Sequence, residues 1–159
     1  MTNFATPSST LSSLKTLIRA ETTLANALLR IGPQPSFNIP QNVDVGIFLD
    51  LRGMLQEESI HSGNNFKNEY IIGILICVKD EKDKDEVETT RLAYLEAMQN
   101  LIASNRSLSM SQKDGYITSI ELGILELDDA TKQVYRFADI EVHYSTIRSI
   151  VPVPPVDPT

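Results

Sequence analysis

Two histidines and one cysteine are the strongest candidates for metal binding or nucleophilic chemistry in this sequence. Glu57, Glu58 and His61 have the spacing that places carboxylates and an imidazole on one face of a helix, which is how some metal sites are built. A di-iron centre needs a second Glu-x-x-His motif, and His143 is the only other histidine. We therefore interpret the cluster as a solvated segment, and we expect neither a metal nor another cofactor.

Cys77 and His143 lack the sequence neighbours that would indicate catalysis. Cys77 lies in the apolar run Tyr70–Val78, which predicts a buried thiol and no internal disulfide. His143 belongs to the polar face of an alternating segment, where a hydrogen-bonded or exposed histidine is the common case. The sequence has no nucleophile elbow, Walker loop or Gly-x-Gly-x-x-Gly motif, although its Ser and Asp content alone leaves a hydrolytic triad open. We predict a non-catalytic protein.

The charge of the chain argues against nucleic-acid binding. The formal net charge is -7 and the sequence pI is ≈ 4.8, whereas binding to a phosphate backbone depends on clustered cations. We expect no specific DNA binding. The run Tyr70–Val78 is about half as long as a membrane-spanning helix, and Met1–Ser9 lacks the features of a secretory signal. We therefore expect a protein that is made in the cytoplasm and has no membrane segment.

Hydrophobic periodicity predicts where the helices and strands lie. Leucine and isoleucine residues at spacings of three and four predict a first helix over Ser9–Ile31, ended by Gly32-Pro33. A Pro-interrupted connector, Gly32–Asn42, follows it. The later elements are a half-buried strand, a strand covered on both faces, a second helix and a hairpin of two strands, over Val43–Leu51, Tyr70–Val78, Asp85–Ser104, Gly115–Leu127 and Gln133–Ser145.

This order, α-β-β-α-β-β, predicts an α+β fold in which two helices pack on a four-stranded, mainly antiparallel sheet. The chain of 159 residues suits one domain over residues 1–150. The remaining segment, Val151–Thr159, is dense in proline and suits polyproline II or disorder.

Two features of the predicted domain indicate contact with a partner. The segment Arg52–Asn68 shows no sustained period, so we interpret it as a mobile insert, in which Arg52, Glu57 and Glu58 are candidate interface residues. Phe66 is the one large apolar side chain late in this insert and would anchor it in the groove of a partner. The insert should gain order only against a neighbouring molecule.

Tyr135 and Phe137 are the second feature. They share the parity of Asp139 and Glu141, opposite to that of the apolar Ile140. Either a bulge separates them from Ile140, or they form an aromatic pair displayed for a partner. We count both residues among the candidate interface residues.

The layout of these elements resembles that of the tail-terminator, or tail-completion, proteins of tailed phages. The resemblance lies in the leading helix, the Pro-interrupted crossing, the strand Tyr70–Val78 with the helix after it, and a last strand that reads VYRFADIEVHYS. It implies a non-enzymatic virion protein of the phage neck. It also implies a homo-oligomeric ring, a hexamer in that family, which caps the tail tube and joins it to the head connector. The acidic balance of the chain is compatible with a conduit along which DNA slides.

The polar insert and the Pro-rich tail depart from the family layout, so alternatives stay open. A neighbouring head-tail connector or adaptor protein could carry a similar domain. A cellular protein-binding module with a peptide-accepting sheet edge is the competing class, and a small enzyme is the third. Ring formation distinguishes the terminator from the last two.

Overall fold

A computed structural model describes residues 6–32, 39, 42–58, 65–80, 84–108, 113–126 and 133–149. The strands form one five-stranded sheet in the order β1-β2-β3-β5-β4, in which β1 is parallel to β2 and the other neighbours are antiparallel. The elements in chain order are α1 (Pro7–Ala20), a 3₁₀ turn (Leu24–Asn26), β1 (Leu28–Ile31), β2 (Val45–Glu58), β3 (Asn65–Lys79), α2 (Lys84–Ser104), β4 (Lys113–Glu126) and β5 (Val134–Ser149).

The class is α+β with two α-helices, but the predicted four-stranded, mainly antiparallel sheet is wrong. The sheet has five strands and is mixed, because residues expected at the end of the first helix form β1 instead. The predicted order α-β-β-α-β-β therefore lacks one strand before β2.

The first helix ends eleven residues before its predicted end at Ile31. Its start is well capped, since Thr6 and Ser9 form a reciprocal capping box and Pro7 occupies the first turn. Glu21 then leaves the helix with φ -81 and ψ 132, and its carboxylate accepts a hydrogen bond from the backbone N–H of Leu24 at 2.7 Å. Leu28–Ile31 instead pairs with β2 as a parallel strand.

Gly32 adopts the left-handed conformation that its position suggested, but it ends a strand and not a helix. Its φ is 119, which a residue with a side chain rarely adopts. Its backbone N–H donates to the carbonyl oxygen of Leu49 at 2.7 Å. Strand β1 therefore ends at Ile31, and Gly32 makes the next contact with β2.

The predicted loop Arg52–Asn68 is wrong at both of its ends. Residues 52–58 continue β2 and residues 65–68 begin β3, and the two strands pair as an antiparallel hairpin up to Glu58 and Phe66. A register shift between Leu51 and Gly53 places Arg52 in a bulge. The bulge breaks the period of two, which explains why the segment did not look like a strand. His61 and the Pro-rich tail lie outside the described residues.

The main core lies between the helices and one face of the sheet, here called the helix face. As predicted, β3 is central, and Ile72, Ile74 and Ile76 are fully buried on this face. Side chains from the neighbouring strands and from both helices complete this core, among them Ile47, Leu49, Ile140, Val142, Leu14, Ile18, Met98 and Ile102.

A smaller core on the opposite face, here called the open face, explains the position of the two aromatic residues. Tyr135 is fully buried there with Ile39, Phe48 and Cys77, and Phe137 packs against them half-buried. The predicted bulge in β5 is wrong, because β5 pairs with β3 without a register shift. The predicted display of Tyr135 is wrong as well, since residues of this smaller core cover it.

The second helix and the last two strands lie within four residues of their predicted bounds. The first turn of α2 carries Asp85 and Glu86, whose charge suits the helix dipole. Neither described helix combines the length and apolar character that a membrane-spanning helix requires.

The position of Cys77 leads to a first prediction. Burial, with a smaller contribution from the charge of Asp139, raises the pKa of this thiol to about 12. We expect native protein to react with a disulfide exchange reagent far more slowly than urea-unfolded protein does, because the thiolate is the reactive form. Absorbance of the released thiolate measures the rate. Equal rates in the two states would mean that the smaller core opens readily.

Candidate assembly surface

Arg52 links two strands that are not neighbours in the sheet. Its guanidinium crosses β3 on the open face and donates to both carboxylate oxygens of Asp139 on β5, at 2.5 and 3.1 Å. Asp50 lies 3.4 Å from the Nε atom. The Arg52–Asp139 pair is only partly buried, with 30% and 23% of the two side chains exposed. Arg52, a predicted interface residue, is therefore occupied within its own subunit.

Gly73 is the residue that makes this crossing possible. It faces Asp50 on one side and Glu141 on the other. A Cβ atom on it would lie 2.0 Å from Nε of Arg52, which is far inside van der Waals contact. The guanidinium thus occupies the space that a side chain on the central strand would fill.

His143 forms a second cross-strand link on the open face. Its Nδ1 contacts the carboxylate of Glu69 on β3, and its Nε2 lies 3.1 Å from Glu141 Oε1. Tyr116 on β4 stacks at a tilt, with 6.0 Å between ring centroids. Burial lowers the pKa of His143, but the hydrogen bonds and charges of Glu141 and Glu69 outweigh it, so the pKa lies above 6.5.

The clusters on the open face are suited to holding strands together and offer little for catalysis. Both nitrogens of His143 face carboxylates, so no lone pair is directed at a substrate. Within the described ranges, no group of three or more His, Cys, Asp or Glu side chains could hold a metal ion.

The other predicted interface residues are spread over the sheet and do not form one patch. Glu57 and Glu58 belong to β2, and Phe66 belongs to β3, where it pairs in register with Glu58 and Arg148. Their backbone is thus part of the sheet. Tyr135 is buried and Phe137 is half-buried, so of the two only Phe137 reaches the surface.

Strand β4 forms one edge of the sheet and pairs only with β5 over the described residues. Its exposed large apolar side chains are Tyr116 on the open face, 46% exposed, and Leu122 and Ile124 on the helix face, 47% and 60% exposed. A long edge strand that displays apolar side chains is a template for pairing with another chain.

The opposite edge of the sheet is half open. Strand β1 covers β2 only from Gly46 to Leu49, so the part of β2 beyond Leu49 has no strand on its outer side in the described structure. Met54 and Leu55 in this part are 55% and 53% exposed, and Leu51 is also exposed. Met54 lies on the helix face and Leu55 on the open face, because their partners Tyr70 and Glu69 do.

Sequence reasoning missed this second edge, although a signal was present. Leu51, Met54 and Leu55 would have marked a strand if one bulged residue had been allowed between them. For β4, the alternation of Ile120, Leu122 and Ile124 was visible, but which strand lies at the edge depends on the pairing order.

A groove of about 410 Å³ lies between the end of α2 and the start of β4. Its lining is mostly apolar, with Gln99 and Arg106 as the polar and charged side chains, and Arg106 is already paired with Asp114 at 2.8 and 3.0 Å. The lining residues are Gln99, Ile102, Ala103, Arg106, Gly115, Tyr116 and Ile117. The groove extends the surface next to the β4 edge.

Comparisons with known proteins identify no family for this chain. The sequence matches no known protein family, and no curated protein matches it. One solved structure that is similar in fold is 12% identical, covers 92% of this chain and 94% of its own, and has a TM-score of 0.41. Its name states no function, and at this TM-score the likeness carries no argument.

The crossing of Arg52 over Gly73 gives a second prediction. Arg52→Ala should lower the free energy of unfolding by about 0.5–1 kcal/mol, since a bidentate, partly buried pair is lost. In the Gly73→Ala background, Arg52→Ala should leave the free energy of unfolding almost unchanged, because the new methyl group already displaces the guanidinium. Urea unfolding of the four proteins measures this coupling. If Arg52→Ala lowers the free energy of unfolding equally in both backgrounds, the guanidinium does not need the space at Gly73 to reach Asp139.

The pH dependence of His143 gives a third prediction. Its folded pKa lies above the ordinary value of 6.5, so protonation favours the folded state. This stabilisation is fully present below pH 6.5 and is lost as the pH rises through the folded pKa. The melting temperature, measured between pH 5.5 and 8.5, should therefore fall at about neutral pH and above. The His143→Gln variant should not show this fall. If the melting temperature of His143→Gln falls by the same amount, the pH dependence comes from other titrating groups.

Proposed function

We propose that this chain is a structural, non-catalytic virion protein of a tailed phage, a tail terminator. In this role copies of the chain form a ring, a hexamer by resemblance, that caps the tail tube and joins it to the head connector in the neck. The proposal starts from the layout of the elements, and the edges of the sheet support it.

The observation that carries the proposal is that, in the described part of the chain, one sheet has two different edges without a strand partner, each with exposed apolar side chains. Leu122 and Ile124 are exposed at the β4 edge, and Met54 and Leu55 at the β2 edge. The edges lie on opposite sides of the sheet. Contact between two different surfaces of identical chains repeats from copy to copy, and it ends only when the ring closes.

The charges of the open face are compatible with a DNA conduit. Asp50, Glu69, Asp139 and Glu141 lie there, accompanied by Arg52 and His143. Carboxylates repel a phosphate backbone, so DNA would slide past such a surface without binding. No specific DNA binding is part of this proposal.

One observation favours a second candidate. The groove at Tyr116 adjoins an open strand, which is the arrangement used by modules that add a peptide to a sheet edge. A cellular protein-binding module would use β4 in that way. Such a module would leave the β2 edge without a role. The terminator therefore accounts for more of the exposed apolar surface than the binding module does. A neighbouring connector or adaptor that also forms rings would use both edges in the same way.

Electron microscopy tests the proposal. The purified chain, mixed with the tail-tube protein of the same phage, should form rings at tube ends. Ile124→Lys should abolish them, because the charge lies at the apolar edge, while the subunit keeps its melting temperature since Ile124 is exposed. Tubes that stay uncapped with the unmodified chain would count against a terminator.

The matched control is Ala93→Lys, which adds the same charge on the exposed side of α2 away from β4. It should form rings as the unmodified chain does. Loss of rings in both variants would attribute the effect to charge and not to the edge.

A further inference from the structure

We infer that strand β4 of one copy occupies the free side of β2 in the next copy, with Ile124 opposite Met54 in an antiparallel ladder. This inference names the partner of the proposed assembly surface and rests on the proposed ring. Three features support this pairing: the direction of the strands, the position of β1 and the faces of the exposed side chains.

Strand direction determines the type of ladder. Three successive antiparallel pairings separate β2 from β4, so these two strands run in opposite directions within the sheet. A second copy placed beside the first in the same orientation therefore brings its β2 antiparallel to β4. The sheet then continues across the contact with the pairing type that it already has.

The short strand β1 limits how far β4 can slide. It fills the outer side of β2 up to Leu49, and Gly32 follows it there. If two copies were placed side by side without an offset along the strands, the second half of β4 in one copy would overlap β1 of the other. Steric exclusion therefore requires the end of β4, at Glu126, to stop beyond Asp50 of the neighbouring β2.

The faces of the side chains then select the register. The apolar Ile124 and Met54 both lie on the helix face. With these two opposite each other, Ile120–Leu125 pairs with Gly53–Glu58, and Glu126 stays clear of β1. A shift of one residue would reverse the faces. A shift of two residues toward β1 would bring Glu126 level with Gly32.

This register also accounts for the apolar surface better than the symmetric alternative. Two β4 strands related by a two-fold axis would cover Leu122 and Ile124 but would leave Met54 and Leu55 exposed. The heterologous pairing covers both edges with one contact.

Disulfide trapping tests the pairing directly. Ile124→Cys and Met54→Cys proteins are mixed at high concentration and oxidised, and dimers are counted on a non-reducing gel. Directly opposite residues of an antiparallel ladder lie about 4.5–5.5 Å apart between Cα atoms, within the range of a disulfide. The native Cys77 is buried and does not compete.

The link cannot form inside one subunit. Met54 is level with Tyr70 and Tyr144, and Ile124 is level with Arg136, so the two residues lie eight positions apart along the sheet. They are also three strand spacings apart, roughly 14 Å. A double variant, Met54→Cys with Ile124→Cys, should therefore form ladders of linked copies and no internal disulfide.

Two controls fix the interpretation. Leu55→Cys is nearly as exposed as Met54 but faces the other side, so mixing it with Ile124→Cys should give about tenfold less dimer. Leu122→Cys alone should stay monomeric, whereas two-fold pairing of β4 with β4 centred on this residue would link it to itself. Circular dichroism melting confirms that every variant is folded.

Each outcome separates the pairing from the ring. Heterodimers of the Met54 and Ile124 variants, above the Leu55 control, support the pairing. If rings are seen in the microscope but this disulfide does not form, the pairing is wrong and the terminator proposal still stands. Linked open chains without rings would support the pairing and overturn the terminator. Three results would overturn the pairing: as much dimer with Leu55→Cys as with Met54→Cys, homodimers of Leu122→Cys, or no dimers at all.

Discussion

Strand β3 carries Ile72, Ile74 and Ile76 on the face that the helices cover, and all three side chains are fully buried. Each contributes roughly 1.5–3 kcal/mol by leaving water. Such a face is buried when the strand lies between two others and beneath the helix layer. Once β3 is central, β2 and β5 are its neighbours. The remaining strands can only be added outside them, and the sheet therefore ends at β4 on one side and at β1 on the other.

The unequal lengths of the strands decide which backbone stays open. Strand β2 has 14 residues and β1 has four, so β1 cannot cover β2 along its whole length. Strand β1 ends at Ile31, and the next residue, Gly32, has a left-handed conformation that does not continue a strand. The free half of β2 and the register limit on an incoming strand thus have one common origin. The same glycine that ends β1 also defines where a neighbouring β4 must stop.

Sequence patterns identified the helix α2, the central strand and the last two strands from their apolar runs and their alternation, although β4 has a register shift between Ile117 and Ser119. They failed at Leu28–Ile31, where leucines at helical spacing are also compatible with a short strand, and pairing with β2 decided between them. They failed again at Arg52, where one bulged residue shifts the alternation. Arg52 and Tyr135 were predicted at an interface, but both are occupied within the subunit by partners distant in sequence. The edges themselves follow from strand order, which no local pattern contains.

The polar links on the open face matter for the edges because they make the sheet stiff. Arg52 connects β2 to β5 across β3, and His143 connects β3 to β5 through Glu69. From the helix face, Arg91 donates to the carbonyl oxygens of Gly123 and Phe137, at 3.4 and 3.3 Å. These contacts hold β2 and the second half of β4 in fixed positions relative to the core. An edge that such contacts already hold in place loses little conformational entropy when a strand is added to it, so its apolar side chains contribute more of their burial energy to association.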